Sequence, residues 1–210
     1  MVGNLVFCCL IIFRPAYGEN SNIWVHFIEH PDHDRFIECK QQIEDSLTGD
    51  YKVNIYGERI ETPTQTQLIK NMELFNQFLS LIRRGNIYAL ELGIQIRQLT
   101  NGGAKEDLDV SIGNNITKIP TIFLGLAKRY AIYKQDDFYS VLVNYGDEFV
   151  DKLDKQIVQT DLRIKALNRV RDADVFEIKQ KCIAILQKQK RLLSIKVIEM
   201  RKRNQKIERK

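Results

Sequence analysis

The chain has 210 residues, 44% of them hydrophobic and 28% charged, which is the profile of a globular protein. A chain of this length can bury enough apolar surface to fold without disulfides or metals. The last ten residues carry six basic side chains and one acidic one, and they account for the whole net charge of +5. The basic character therefore belongs to a tail, and a nucleic-acid-binding face on the body is not expected.

The first 18 residues resemble a cleavable signal peptide. Leu5 to Phe13 is an uncharged run, far shorter than the roughly 20 residues that span a bilayer but typical of a signal-peptide core. Ala16 and Gly18 are small residues at positions −3 and −1, so cleavage is expected before Glu19. The residues before the run lack the usual Lys or Arg. We predict an exported protein, periplasmic or secreted and not transmembrane; a buried N-terminal element is the alternative.

Removal of this leader leaves two cysteines, Cys39 and Cys182. An even pair in an oxidising compartment can form a disulfide bridge. Lone cysteines also behave as small core hydrophobes, so two buried free thiols are the alternative.

The segment after the leader is ambiguous. Ile23 to Ile28 is short and rich in β-branched residues, which favours an extended conformation. Asp32 or Asp34 can then cap a first helix. Tyr51 to Ile55 alternates apolar and polar residues like a small strand. A small β element near residues 23–60 therefore stays open.

Helix signals dominate after Thr62. Apolar residues recur at helical spacing from Leu68 to Ile82, and Gly85 follows as a left-handed helix cap. The next segment, Ile87 to Leu99, alternates like a strand, but its length and the lack of a hairpin turn before it favour a helix that is buried on most sides.

Shorter helices follow, separated by clear turn signals. Asn101-Gly102-Gly103 is the strongest turn in the chain, and Lys105 to Ile116 favours a short helix after it. Pro120 belongs in the first turn of the next helix. Asp136 opens another short helix, which closes near Gly146.

Two long helices end the chain. Val150 to Leu167 and Asp174 to Met200 carry apolar stripes with a short joint between them, which indicates an antiparallel hairpin. The predicted fold is all-α, an array of antiparallel helices with a long C-terminal hairpin. We divide the chain into a signal peptide (1–18), a helical domain (19–146) and the hairpin with its basic tail (147–210).

One stretch has a familiar pattern. A glycine-led helix begins at Gly85-Asn86-Ile87, a glycine turn and an acidic-Leu helix run from Asn101 to Leu108, and Pro120-Thr121-Ile122-Phe123-Leu124 ends it. Residues 85–124 resemble uncharacterised exported bacterial proteins of unknown function. The resemblance implies an all-helical fold over residues 85–130 and a bacterial exported context, and it implies no activity.

The three histidines, His26, His30 and His33, lie close together in the sequence with carboxylates nearby. Neutral imidazoles and carboxylates can bind a transition metal such as zinc. His26, Glu29 and His30 also match the H-x-x-E-H motif of zinc proteases. That chemistry needs a helix, whereas Pro31 disfavours helical geometry at His30. On a strand, His26 and His30 lie about 13 Å apart, too far to share one ion.

The basic tail can contact an anionic surface. Its charged members are Arg201, Lys202, Arg203, Lys206, Arg209 and Lys210. It lacks the interleaved aromatic side chains that stack on bases, so nucleic acid is not an expected partner. A solvated, frayed helix end is the alternative.

No catalytic motif stands beside these features. The sequence contains no G-x-S-x-G, no Gly-rich phosphate loop and no C-x-x-C. We therefore expect a non-catalytic exported protein that binds another protein, or itself, through the C-terminal hairpin. A metal-dependent hydrolase built on His26, Glu29 and His30 is the first alternative, and binding to an anionic envelope surface through the tail is the second.

Overall fold

A computed structural model describes residues 22–48 and 61–208, and for residues 206–208 the backbone alone. Helices dominate both ranges, and no strand occurs in them, so the predicted all-α fold is confirmed. The α-helices are α1 (Ile23–Glu29), α2 (His33–Thr48), α3 (Met72–Arg84), α4 (Ile87–Ile96), α5 (Gly102–Gly113), α6 (Asn115–Lys118), α7 (Pro120–Arg129), α8 (Phe138–Val143), α9 (Leu153–Asn168) and α10 (Phe176–Glu208).

Short helical turns of other kinds join several of these helices. A π-turn lies at Gln65–Ile69, and 3-10 turns lie at Arg97–Leu99, Ile132–Lys134, Asp147–Phe149 and Ala173–Val175. Because the connections are short, helices that are adjacent in the sequence also pack together, as α1 does on α2, α3 on α4 and α9 on α10.

The N-terminal segment corrects one expectation. Ile23–Ile28 is helical rather than extended, because it lies within α1. The side chain of Asn22 caps this helix by accepting a hydrogen bond from the backbone N–H of Trp24 at 3.0 Å. Trp24 and Phe27 lie one helical turn apart and are both fully buried, so packing outweighs the β-branched composition. The predicted strand at Tyr51–Ile55 lies outside the described residues.

The apolar stripe predicted over Leu68–Ile82 holds except where the helix is interrupted. Met72 is 62% exposed because a new helix, α3, begins there. The side chain of Asn71 marks the break, since it accepts a hydrogen bond from the N–H of Leu74 at 3.2 Å. Gly85 has φ of 88° and forms the predicted left-handed cap at the other end of α3.

Helix α4 lies at the centre of the core and confirms the helical prediction for Ile87–Leu99. Every residue from Ala89 to Arg97 is buried, and α4 contacts α2, α3, α5 and α7. A helix surrounded on all sides carries apolar residues on every side, so its sequence has no clear helical period, although α4 also buries Glu91 and Gln95. This explains why the segment also resembled a strand.

The C-terminal hairpin consists of α9 and α10, but these helices begin and end at other residues than the sequence predicted. Asp172 rather than Asp174 caps the joint, since its carboxylate accepts a hydrogen bond from the N–H of Asp174 at 2.9 Å. Helix α10 begins at Phe176 and continues to Glu208. Its 33 residues span about 50 Å, whereas the 16 residues of α9 span about 24 Å. The distal part of α10 therefore extends past α9.

The first half of α10 belongs to the same core as the preceding helices. Ile178, Cys182 and Leu186 are buried in one cluster with residues of α3, α4 and α7. Helix α10 packs on α7 and α8 as well as on α9. The division into domains at residues 146 and 147 stays a prediction.

Candidate binding surface on the C-terminal hairpin

Two ion pairs define how α9 and α10 align. The Lys190 Nζ lies 2.7 Å from the Asp161 Oδ1, and the Arg201 Nη2 lies 3.8 Å from the Asp154 Oδ1. All four side chains are 41–75% exposed, so the pairs lie on the solvent side of the contact and add little stability. The two pairs also show that the helices run antiparallel, with residues 154–161 of α9 alongside residues 190–201 of α10.

Buried Arg163 fastens α9 to the helices beneath it. Its guanidinium donates to the carbonyl oxygens of Leu142 at 2.7 Å and Asn144 at 3.2 Å, at the C-terminal end of α8. The guanidinium carbon also lies 4.4 Å from the ring centre of Tyr145. The negative end of the α8 dipole favours the cation, while burial lowers the pKa of Arg163 to about 10. The base of the hairpin is therefore held by polar contacts as well as by apolar packing.

The solvent side of the hairpin exposes four aliphatic side chains, which we call the hairpin face. They are 46–56% exposed: Val158, Leu162, Ile195 and Ile198. Val158 is one helical turn from Asp154, and Ile198 is one turn from Arg201, so both border the ion pairs that mark the solvent side. Grouped exposed apolar residues of this kind mark interaction sites more often than scattered ones.

Basic side chains surround the hairpin face. Between residues 187 and 205 there is one acidic residue, Glu199. The basic residues of this stretch are Lys188, Lys190, Arg191, Lys196, Arg201, Lys202 and Arg203. The predicted basic tail thus begins on α10 and is exposed there. The side chain of Lys206 and the residues Arg209 and Lys210 lie outside the described part.

For Cys39 and Cys182 the sequence left open a disulfide or two buried free thiols, and the structure has no bond between them. Both cysteines are free and fully buried. Cys39 lies on α2, which packs on α1 and α4, and its Sγ is 3.9 Å from the carbonyl oxygen of Ile23. Cys182 lies on α10, which packs on α7, α8 and α9. Burial raises the pKa of both thiols, that of Cys182 to about 12.

The three histidines lie at the junction of α1 and α2. His26 is within α1, while His30 ends that helix with a non-helical φ of −137°, as Pro31 requires. His33 begins α2, where its ring lies 6.1 Å from that of Phe36 and 5.9 Å from that of Tyr88. In residues 22–48 and 61–208, no three His, Cys, Asp or Glu side chains converge to hold a metal ion. The zinc site stays a prediction.

A buried ionic network that the sequence did not reveal joins the end of α4 to α5 and to the start of α8. Arg97 is 2% exposed and Asp109 is 3% exposed, and they form an ion pair between the end of α4 and the middle of α5. Arg97 also donates to the side chains of Gln135 and Asp137, each at 2.9 Å. Asp137 accepts a further bond from Lys105 instead of capping α8 with its side chain.

An open cleft of about 410 Å³ lies beside this network. Its lining residues are Arg97, Gln98, Thr100, Lys105, Gln135, Asp136 and Asp137. Although burial opposes it, the hydrogen bonds from Lys105 and Arg97 lower the pKa of Asp137. Because Arg97 donates to protein groups through all three guanidinium nitrogens, the cluster ties α4, α5 and α8 together, and we assign it a structural role.

Comparisons with known proteins add no functional information. The chain gives no match to a family model, to a curated protein or to a solved structure. In the part of the chain that the structure describes, no helix is both long and apolar enough to cross a bilayer. The candidate function therefore depends on the geometry of the hairpin face alone.

Proposed function

We propose that this chain is an exported, non-catalytic helical protein that binds another protein through its C-terminal hairpin. The observation that supports the proposal is the hairpin face, with four half-exposed aliphatic side chains on a helix pair whose base is fixed in the core. A rigid base allows a docking surface to bind without a large loss of its own conformational entropy.

The size of this surface sets the strength of the binding. Full burial of one Val, Leu or Ile side chain is worth about 1.5–3 kcal/mol, so burying the exposed half of four of them contributes about 3–6 kcal/mol. Association costs about 4–15 kcal/mol in lost freedom of motion. Apolar contact alone therefore gives at most weak binding, and a specific partner must add polar or charged contacts around the hairpin face.

The test compares two substitutions with matched exposure. Ile195 is 53% exposed on the hairpin face, and Ile37 is 48% exposed on α2, away from the hairpin. The experiment is a pull-down from an extract of the source cells with three immobilised baits: wild type, Ile195→Glu and Ile37→Glu. Any protein that a bait retains is purified, and its affinity for each bait is measured by calorimetry. We expect a partner that binds wild type and Ile37→Glu but not Ile195→Glu. Equal binding by all three variants would exclude the hairpin face.

Export is tested separately by mass spectrometry of the protein made in its source. We expect a mature chain that begins at Glu19, after removal of residues 1–18. An N-terminus at Met1 in the cell-associated protein contradicts the proposed export. It does not affect the proposed protein binding, which the calorimetry tests.

A metal-dependent hydrolase is the second candidate, and one observation favours it. Because Ile23–Ile28 is helical, His26 and Glu29 lie on one helix, as the H-x-x-E-H motif requires. Against it stands the non-helical backbone of His30. Metal analysis of protein purified without a histidine tag decides between the candidates: a stoichiometric zinc ion that is lost in His26→Ala supports the hydrolase.

A further inference from the structure

The hairpin face is open, and its charges indicate what covers it. We propose that its occupant is an acidic amphipathic helix of a partner protein, seated along the solvent side of the α9–α10 contact. This inference rests on the proposed function, since it specifies the chemistry of the protein partner. In this mode of recognition, the partner helix packs its apolar stripe against α9 and α10 and forms a three-helix arrangement with them.

The shape of the surface follows from the alignment of α9 and α10. Val158 and Leu162 are four residues apart on α9, so they lie on one side of that helix. Ile195 and Ile198 are three residues apart on α10 and share a side of it in the same way. The pairs Asp161–Lys190 and Asp154–Arg201 place residue 158 level with the turn that contains Ile195. Val158 and Ile198 therefore border the α9–α10 contact from its two sides, with Leu162 and Ile195 next to them, and one helix can contact this set.

The charge around this surface selects the sign of the partner. Seven basic side chains and one acidic one lie between residues 187 and 205. Asp161 and Asp154 of α9 pair with two of the basic ones, Lys190 and Arg201, which leaves five basic side chains against Glu199. A second copy of the chain brings the same positive charge to the contact, and like charges across an interface oppose association. An acidic helix gains attraction at the same positions, with Glu or Asp beside its apolar stripe. Charge complementarity thus favours a different protein over self-association.

The composition of the surface distinguishes a helix from a lipid bilayer. Membrane-surface helices insert Trp, Phe or Leu and present a uniformly basic polar face. Here the exposed residues are mainly Val and Ile, and Asp154, Asp161 and Glu199 lie among them. These carboxylates oppose an anionic bilayer, whereas a helix can place a basic residue opposite each one. The aliphatic residues also have the branched shapes that pack between helices.

The experiment uses two synthetic peptides of about three heptads, with the same Ile and Leu stripe and either Glu or Lys beside it. Titration of the purified chain is expected to show binding of the Glu peptide at least tenfold tighter than the Lys peptide, with the preference reduced at high salt. Ile195→Glu and Val158→Glu should weaken binding of the Glu peptide at least tenfold, while Ile37→Glu matches wild type. Circular dichroism of each variant confirms that the fold is intact.

Four outcomes overturn the inference. Equal binding of both peptides shows that charge does not select the partner. Binding to phosphatidylglycerol vesicles that is lost in Ile195→Glu, without binding of the Glu peptide, assigns the face to a lipid surface. A concentration-dependent dimer in sedimentation that Ile195→Glu abolishes assigns it to a second copy. If a cellular protein partner still depends on Ile195 while the Glu peptide fails to bind, the proposed function stands and this inference alone fails.

Discussion

Removal of the Asp109 carboxylate is expected to destabilise the fold strongly. Asp109→Ala leaves the Arg97 guanidinium, which is 2% exposed, without its main buried counter-charge. Loss of one member of a buried ion pair costs about 3–5 kcal/mol because the remaining charge is uncompensated. Since Asp137 still contacts Arg97 at 2.9 Å, we expect a loss of stability at the lower end of this range, about 3 kcal/mol. That is a large part of the roughly 5–15 kcal/mol that stabilise a typical domain.

Urea unfolding followed by circular dichroism measures this loss. Asp107→Ala is the matched control, because Asp107 is an exposed carboxylate two residues away on α5, and it should change stability by less than about 0.5 kcal/mol. Replacing both partners, Arg97→Met with Asp109→Leu, should cost less than Asp109→Ala alone, since no charge is then stranded. A cost below about 1 kcal/mol for Asp109→Ala, or a double variant less stable than the single one, refutes the reasoning.

Three further predictions address packing, pH and the thiols. Gly113→Ala should lower the melting temperature because the added methyl overlaps the carbonyl oxygen of Val141, whereas Gly125→Ala, with nothing within 4 Å, should stabilise by about 0.5–1 kcal/mol. The pKa of Asp137 is lowered in the folded protein, so this carboxylate stabilises the fold above its unfolded pKa of about 4, and the stabilisation is lost as the pH falls below that value. Asp137→Asn should therefore reduce the dependence of the free energy of unfolding on acid pH, as measured by urea titrations between neutral and acid pH. Cys39 and Cys182 should resist a thiol reagent in the native protein and react fully in urea without reductant; failure to react in urea indicates a bridge.

Several parts of the fold follow from local sequence signals. Gly85 ends α3 in the left-handed conformation because no side chain opposes it, and Pro120 begins α7 where its missing N–H has no helical partner. These features depend on one or two residues and their immediate neighbours. The same is true of His30, which Pro31 displaces from α1 as predicted.

Other parts depend on contacts between distant residues, which no local pattern contains. Ile23–Ile28 has a strand-like composition, yet Trp24 packs edge-on against Phe78, with ring centres 5.7 Å apart, and this contact favours a helix. Asp137 has the position of a helix cap, but its carboxylate pairs with Arg97, 40 residues earlier. The C-terminal hairpin was predicted as a helix pair, while the hairpin face depends on how α9 and α10 align.

Helix α10 has two regions of different local stability. Its first half is buried in the core, so exchange of its amide hydrogens with solvent requires unfolding of most of the protein. Its distal part lies beyond the core, where amides exchange through local opening. A ligand on the hairpin face should therefore slow amide exchange in roughly the last 20 residues of α10 and leave the first half unchanged. Hydrogen exchange can then detect an occupant of the hairpin before that occupant has been identified.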